Sequence, residues 1–230
     1  MRRSFRISGT ILAAAGLLAA AWALTVWQWQ DPFTALYTLH QQKGLTTEYQ
    51  RKEAAYRPTV SAEASVLQQE RAIRRAARRY RLQLGIGDPV GRLRVPRLGL
   101  KATVVNGTDH TSLAKGPGRD PRTYVPGEGE LIYIAGHRTT YGAPFAHIER
   151  LQRGNKFTIE VPYATFVYRV SKHVIVPAND VARLRSRGHE EVVLQACHPR
   201  FFATERYLVY ARPLRVTPRG GATYAPGRGA

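Results

Sequence analysis

The segment VVLQACHPR, residues 192–200, decides how this chain is interpreted, because it places a cysteine directly after a run of strand-forming residues. Cys197 is the only cysteine in a chain of 230 residues. A single thiol forms no intramolecular disulfide and supplies no multi-cysteine zinc site. It is therefore either a nucleophile or a small buried apolar side chain.

Short β-rich segments separated by glycine and proline surround this cysteine from about residue 89 onwards. One of them, TFVYRV at residues 165–170, is dense in the β-branched and aromatic residues that favour strands. The spacing of these segments predicts a mainly β domain, either a small barrel or a sandwich. The predicted strands cover residues 91–95, 102–105, 131–135, 156–161, 165–172, 173–176, 192–196 and 207–215, and short helices are predicted over 143–151 and 179–184.

The beginning of the chain is apolar, and residues 7–30 contain no charged side chain. As a helix this segment measures about 36 Å, which is enough to cross a hydrocarbon core of about 30 Å. We therefore predict a single transmembrane helix. Ala21-Trp22-Ala23 also fits the cleavage site of a signal peptide, but the apolar run continues beyond it. Under both interpretations, the rest of the chain is exported from the cytoplasm.

The residues that flank the predicted span indicate its orientation. Arg2, Arg3 and Arg6 precede it and favour a cytoplasmic N-terminus. Trp27 and Trp29 fall where the outer aromatic belt would lie. The sequence thus predicts a single-pass protein of the cell membrane with its large domain outside the cell.

A basic, polar segment over residues 31–88 is predicted to form two helices, divided near Pro58, with Thr59 as the N-cap of the second. Ala76, Tyr80 and Leu84 recur at helical spacing and form one apolar stripe. The arginines of the second helix indicate either contact with anionic lipid or wall polymer, or a solvated face of a spacer helix. They are Arg71, Arg74, Arg75, Arg78, Arg79 and Arg81.

Overall composition is that of a globular protein, with 43% hydrophobic residues, and it excludes a disordered chain. The formal net charge of +19 suits nucleic acid, anionic lipid or an acidic wall polymer as a partner. The charge alone does not choose among these partners. No acidic cluster indicates a calcium site, and nothing in the sequence suggests a cofactor.

A nucleophilic thiol needs a base or a positive charge beside it. Among seven histidines, His137 ends the apolar strand IYIAGHR, where a rigid sheet directs side chains into a site. Arg206 begins the strand after Cys197, and a guanidinium there is suited to hold an oxyanion. Arg200 is the weaker candidate for that role. His198 is discounted as the base because adjacent strand residues point to opposite faces.

These residues resemble a known family. Cys197 after a strand, His137 in AGHRTTYGAPF (residues 135–145) and Arg206 on the next strand are similar to the sortases, membrane-anchored transpeptidases of Gram-positive bacteria. The segments CHPRF (197–201) and RTTYG (138–142) are most like class E. The resemblance covers about residues 91–215. Sortases commonly have Thr-Leu-x-Thr-Cys before the thiol, where this chain has VLQAC.

The resemblance implies an eight-stranded sortase-type β-barrel with short helices, and acyl transfer through a thioester on Cys197. His137 would protonate the leaving amine and deprotonate the incoming one, and Arg206 would hold the oxyanion. It also implies substrate contacts by Leu194 and Ala196, and a sorting signal of the form Leu-Ala-x-Thr-Gly or Leu-Pro-x-Thr-Gly. Tyr141 would discriminate between these two motifs, or it is simply a packed loop aromatic.

The implied partners are secreted proteins with a C-terminal sorting signal and an amine acceptor from a peptidoglycan precursor or a pilin; no cofactor, metal or specific nucleic acid is expected. The predicted organisation is an anchor over 1–30, a basic helical stalk or linker over 31–88, the catalytic barrel over 89–216 and a flexible tail over 217–230. Two alternatives stay open. The chain is a membrane-anchored basic module that binds wall polymer or nucleic acid, or it is a related thiol enzyme, either a hydrolase or an L,D-transpeptidase.

Overall fold

A computed structural model of the chain describes residues 2–28, 32–58, 60–61 and 63–226. Eight strands form one closed barrel in the order β1-β2-β3-β4-β7-β8-β6-β5. The expectation of an eight-stranded barrel with short helices is thus confirmed. The strands are β1 (Pro89–Val95), β2 (Leu100–Asn106), β3 (Gly118–Arg119), β4 (Leu131–Ala135), β5 (Lys156–Val161), β6 (Ala164–Pro177), β7 (Glu191–His198) and β8 (Glu205–Pro218).

Two strand predictions need correction, although the total of eight is right. The predicted strands 165–172 and 173–176 are one continuous strand, β6, which pairs with β8 along its whole length. Irregularities in that pairing, between Val170 and Lys172 among others, bend the strand without ending it. The eighth strand is β3, whose two residues lie in a Gly/Pro-rich loop and carry no strand pattern.

The helices predicted inside the barrel domain are shorter than expected. Within residues 143–151 only Ile148–Arg150 is helical, as one 3-10 turn, and within 179–184 a 3-10 turn covers Val181–Leu184. A third such turn, Pro96–Leu98, links β1 and β2, and one short helix, α4, spans His110–Lys115. A positive φ angle at Ala143 is incompatible with a helix that starts at the beginning of the first of these segments.

Three longer helices precede the barrel: α1 (Arg2–Gln28), α2 (Pro32–Ala55) and α3 (Val66–Gln83). Helix α3 begins later than predicted. Ser65 is its N-cap and forms a capping box with Gln68, whereas Thr59 lies outside the described residues.

The predicted apolar stripe of α3 is confirmed. Ala76 and Tyr80 belong to the same buried cluster as the barrel interior, and Leu84 packs against it. Ile73, 1% exposed, extends the stripe by one turn, and burial of a side chain of this size stabilises the docked helix by about 2 kcal/mol. On the opposite face the arginines are exposed, except that Arg81 forms an ion pair with Glu128 at 2.7 Å.

Helix α2 also lies on the barrel, along β1, β2 and α4. The side chain of Gln42 donates to the carbonyls of Thr103 and Lys115 and accepts from the Thr103 amide, at 2.7–3.0 Å. One turn from its C-terminus, Glu53 forms an ion pair with Arg92 of β1 at 2.8 Å. The basic segment is therefore attached to the barrel over the whole length of α2.

The two ends of the chain differ in their contacts. Ile7–Leu24 of α1 is an 18-residue window apolar enough to cross a membrane, and none of it is buried in the protein. The side chain of Trp27 and all of Trp29 lie outside the described residues. At the other end, Tyr224 is 8% exposed and forms an isolated β-bridge with Val216.

Candidate active site

Strand β7 holds Cys197 one residue from its end, with the thiol free and half-buried. Because side chains alternate along a strand, Leu194 and Ala196 point to the opposite face from Cys197. Both are 0% exposed and pack in the barrel core. The structure therefore does not bring these two residues, predicted to contact substrate, to the surface that carries the thiol.

Arg206 lies directly across the sheet from the cysteine. Strands β7 and β8 are antiparallel, and their register pairs Cys197 with Arg206. Directly opposed residues have Cβ atoms about 4.5–5.5 Å apart and point to the same face. Both described hydrogen bonds of the guanidinium use Nη1, which donates to the carbonyls of Ala203 at 2.7 Å and Glu205 at 2.9 Å.

His137 is brought to the same end of the barrel by a parallel pairing. Ala135, the last residue of β4, pairs with Gln195 of β7, and the amide of Gly136 donates to the Gln195 carbonyl at 3.0 Å. His137 therefore leaves the sheet level with Cys197. Gly136 is required for this turn, because a Cβ atom there would lie 2.6 Å from the buried ring of Phe145.

The imidazole of His137 is partly shielded from solvent. Its ring packs against that of Tyr141, with centroids 5.1 Å apart, and its buried Nε2 meets no hydrogen-bond partner within the described part of the chain. Burial lowers the pKa of His137 below the ordinary histidine value, and the neighbouring His110 lowers it further. The ring is therefore neutral at neutral pH and able to accept a proton.

Cys197, His137 and Arg206 all line one cavity of about 270 Å³. The structure thus brings together the three predicted catalytic residues, which come from three different strands or strand ends. Arg200 does not line this cavity, and its guanidinium instead lies over the ring of Phe201 at 5.7 Å.

The cavity wall also contains an ion pair that the sequence patterns did not reveal. The guanidinium of Arg122 donates to both carboxylate oxygens of Asp120, at 3.0 and 2.7 Å. Burial of Asp120 opposes its ionisation, but the hydrogen bonds from Arg122 prevail and hold the carboxyl pKa below its ordinary value. This pair places two opposite charges in the wall of the cavity that Cys197 also lines.

His198 lies on the other side of β7, as the alternation of the strand predicted. Its Nδ1 is 2.9 Å from Nη1 of Arg138, and because arginine only donates, Nδ1 is the acceptor. The same Nη1 donates to the Cys197 carbonyl at 3.1 Å, while Nη2 donates to Glu149 at 2.9 Å. His198 is thus hydrogen-bonded to Arg138 on the face of β7 opposite the thiol, and it does not face the thiol.

Arg138 is a further residue at the site that the sequence patterns did not single out. It follows His137 directly and is 7% exposed, and it ties the loop of His137 to the backbone of Cys197. The Gly-His-Arg run was visible in the sequence, but two partners of the arginine, Cys197 and His198, lie on a strand distant in sequence.

Tyr141 lies beside the site rather than in the cavity wall. Its hydroxyl is 3.4 Å from Nε2 of His110, and its backbone amide donates to the Thr34 hydroxyl of α2 at 2.8 Å. Its ring also packs edge-on against Tyr37, with centroids 6.4 Å apart. The first turns of α2 therefore support the loop that carries His137.

The closed barrel holds a cysteine, a histidine and an arginine around one cavity, the set of groups that thiol-dependent acyl transfer requires. A family model for the sortase domain matches residues 93–214. The chain belongs to the sortase family.

Individual relatives support this assignment. The chain is 31% identical over 135 residues to Sortase D of Bacillus subtilis, a match that covers 57% of this chain and 66% of the relative. It is 27% identical to Sortase SrtE1 of Streptomyces coelicolor, with 37% of this chain and 27% of the relative covered. A Sortase D5 transpeptidase of Clostridium perfringens has the same fold, with a TM-score of 0.59, 20% identity, and 76% and 98% of the two chains covered. Class E membership stays a prediction.

Proposed function

We propose that this protein is a sortase transpeptidase that cleaves a Leu-Ala-x-Thr-Gly or Leu-Pro-x-Thr-Gly sorting signal between threonine and glycine. The observation that supports this best is the pairing of Cys197 with Arg206 across two strands, with His137 at the adjacent strand end and all three around one cavity. The acyl group passes to an amine of a peptidoglycan precursor or a pilin, and the acyl donors are secreted proteins.

The first half of the reaction forms a thioester. Neutral His137 takes the proton of the Cys197 thiol, and the thiolate attacks the threonine carbonyl carbon. The oxyanion that develops is stabilised by the guanidinium of Arg206, which is fixed by its bonds to the β7–β8 loop. The bond to the glycine nitrogen then breaks, and His137 returns its proton to that leaving amine.

The second half reverses these roles. The incoming amine attacks the thioester carbonyl, loses a proton to His137 and expels the Cys197 thiolate, which completes the new amide. The thiolate then takes that proton from His137, which restores the thiol and the neutral imidazole. Two acyl transfers thereby replace one difficult aminolysis.

Specificity at the second position of the signal is proposed to depend on Tyr141. Its ring packs against His137 and is exposed in part beside the cavity. A Tyr141→Ala variant is expected to change the ratio of kcat/KM for Leu-Ala-x-Thr-Gly over Leu-Pro-x-Thr-Gly peptides. An unchanged ratio would assign Tyr141 to packing alone.

The proposed location is the cell membrane, with α1 as a single-pass anchor, its N-terminus cytoplasmic and the barrel outside the cell. We retain the division into an anchor over 1–30, a basic helical segment over 31–88, a catalytic barrel over 89–216 and a tail over 217–230. The start of this tail is ordered rather than flexible, because β8 continues to Pro218 and Tyr224 pairs with Val216. The apolar window Ile7–Leu24 and the sortase match over residues 93–214 support this arrangement.

The proposal is tested by mixing the purified chain with a Leu-Ala-x-Thr-Gly peptide and an amine, and by identifying the products. Transpeptidation predicts the peptide–amine adduct, and it predicts no adduct with Cys197→Ala or His137→Ala chains that remain folded. Release of the free acid despite excess amine would instead indicate the hydrolase. No cleavage, together with tight binding of teichoic acid or DNA, would indicate the basic binding module.

A further inference from the structure

Large apolar side chains are exposed beside the thiol, at the end of the barrel where β7 ends and β8 begins. Phe201 and Phe202 lie in the loop between these strands and are 48% and 78% exposed. This loop begins directly after His198, so both rings lie close to Cys197 along the chain. Two adjacent exposed aromatic rings form an apolar patch that is suited to a partner surface.

Helix α2 begins at the same end of the barrel. Thr34 accepts a hydrogen bond from the amide of Tyr141, in the loop that carries His137. Thr38, one turn later, donates to the carbonyl of Ala114 at 2.8 Å. These contacts fix the first two turns of α2 beside the active-site loops.

The outer face of these two turns is apolar. Phe33 and Leu36 are 74% and 69% exposed. At 100° per residue both project away from the face that carries Thr34 and Thr38. The face of a helix that points into water is normally polar. The apolar outer face of α2 therefore indicates an environment less polar than water.

The neighbouring helix identifies that surrounding. Only three residues separate the end of α1 at Gln28 from the start of α2 at Pro32, and four peptide steps span at most about 15 Å. The ring of Phe33 lies 5.4 Å from that of Trp22, which belongs to the apolar window Ile7–Leu24. Phe33 therefore lies at the same height along the α1 axis as the last turns of the candidate span.

We propose that Phe33, Leu36, Phe201 and Phe202, which we call the apolar rim, rest in the interfacial layer of the bilayer that holds α1. The occupant of the rim is the lipid surface, because Phe33, in ring contact with Trp22, extends the apolar surface of α1 onto α2 at this end of the barrel. Aromatic and apolar side chains at the end of a span are typical of the membrane interface. This inference rests on the proposal that α1 is a membrane anchor.

The consequence concerns access to the thiol. With the rim in the interface, the cavity of Cys197 opens at the level of the lipid headgroups instead of facing away from the membrane. A donor or acceptor that is itself held at the membrane then reaches the thiol without detachment of the barrel. Helix α2 sets this height, because it joins the span to the His137 loop through Thr34.

Spin labels measure this height directly in the full chain. Four single-cysteine chains are made in a Cys197→Ala background and reconstituted into vesicles of phosphatidylethanolamine and phosphatidylglycerol. Leu36→Cys and Phe202→Cys report on the rim, Leu18→Cys on the span, and Arg215→Cys, exposed toward the other end of β8, is the matched control. Relaxation by oxygen and by a water-soluble nickel complex gives the depth of each label.

The proposal predicts that both rim labels are relaxed more strongly by oxygen than by nickel, and that the Arg215→Cys label shows the reverse. If the Leu18→Cys label lies in lipid while either rim label is as water-accessible as the control, the rim is not at the interface and this inference is wrong. If the Leu18→Cys label is itself in water, α1 is not a membrane anchor. The inference about the rim is then wrong as well.

Discussion

Arg138 provides the sharpest test of how the site is held together. Its guanidinium donates to the Cys197 carbonyl, to Nδ1 of His198 and to Glu149, and its side chain is 7% exposed. A hydrogen bond that involves a charged group contributes about 1.5–3 kcal/mol. The contact with Glu149, whose side chain is 41% exposed, contributes much less because water screens it.

The variant Arg138→Met keeps much of the length of the side chain and removes its donors. From the two part-buried bonds, to the Cys197 carbonyl and to His198, taken at the low end of that range, we expect the free energy of unfolding to fall by about 3 kcal/mol. We also expect kcat/KM for acyl transfer to fall by about 10- to 100-fold, because a displacement of about 1 Å in a catalytic group costs up to about 100-fold. Both losses arise because the loop of His137 is no longer tied to β7.

The assays are urea unfolding of the detergent-solubilised chain and initial rates of peptide–amine transfer under conditions where the variant is folded. Arg153→Met is the matched control, since Arg153 is exposed on the turn before β5. An Arg138→Met chain that unfolds at the same urea concentration as this control, with unchanged kcat/KM, would refute the positioning role.

Three further predictions concern the loop of His137. The change Gly136→Ala is expected to lower kcat at least tenfold in the transfer assay, because the added methyl group meets the buried phenylalanine ring described above; wild-type turnover would contradict the tight turn. Thr34→Val removes the acceptor of the loop amide and should lower the unfolding free energy by about 1 kcal/mol relative to Thr47→Val, whose exposed hydroxyl bonds only within its helix. Equal values for the two variants would count against the support of the loop by α2. Finally, His110→Gln should raise the pKa of His137, measured by NMR, because it removes a neighbouring positive charge; no change would show that burial alone lowers it.

The lowered pKa of His137 also fixes the sign of a pH effect. The folded chain binds this proton less readily than the unfolded chain, whose histidines titrate near pH 6.5. The contribution of His137 to stability is therefore fully present above that pH and is lost as the pH falls through the lower, folded pKa. Thermal unfolding of the wild-type chain should show a larger loss on acidification than that of a His137→Gln chain.

The strands that build the site were predictable because their patterns are local. Strands β4 and β7 are mainly apolar and buried on both faces, and near the end of each lies a residue that the sequence marks as reactive: His137 two residues after β4, and Cys197 one residue before the end of β7. The alternation along β7 also gave the correct face for His198. The same alternation, applied to Leu194 and Ala196, would have placed both in the core instead of among the substrate contacts.

The features that were not predicted depend on distant partners. Strand β3 is defined only by its pairing with β2 and β4, and its two residues carry no periodicity. Arg138 acquires its role because β4 and β7 are parallel neighbours, which no short motif encodes. The predicted start of α3 was wrong. The sequence contains the capping box of Ser65 and Gln68, but Thr59, which follows a proline, was a competing N-cap candidate.

The central claim is that Cys197 carries the acyl group during transfer, and intact-protein mass spectrometry tests it most directly. The chain is incubated with a Leu-Ala-x-Thr-Gly peptide without an acceptor amine and quenched in acid. We expect a mass increase equal to the peptide up to threonine, located on Cys197, removed by added amine and absent in the Cys197→Ala chain. Formation of the peptide–amine product by the Cys197→Ala chain, or an acyl adduct on any other residue, would contradict it.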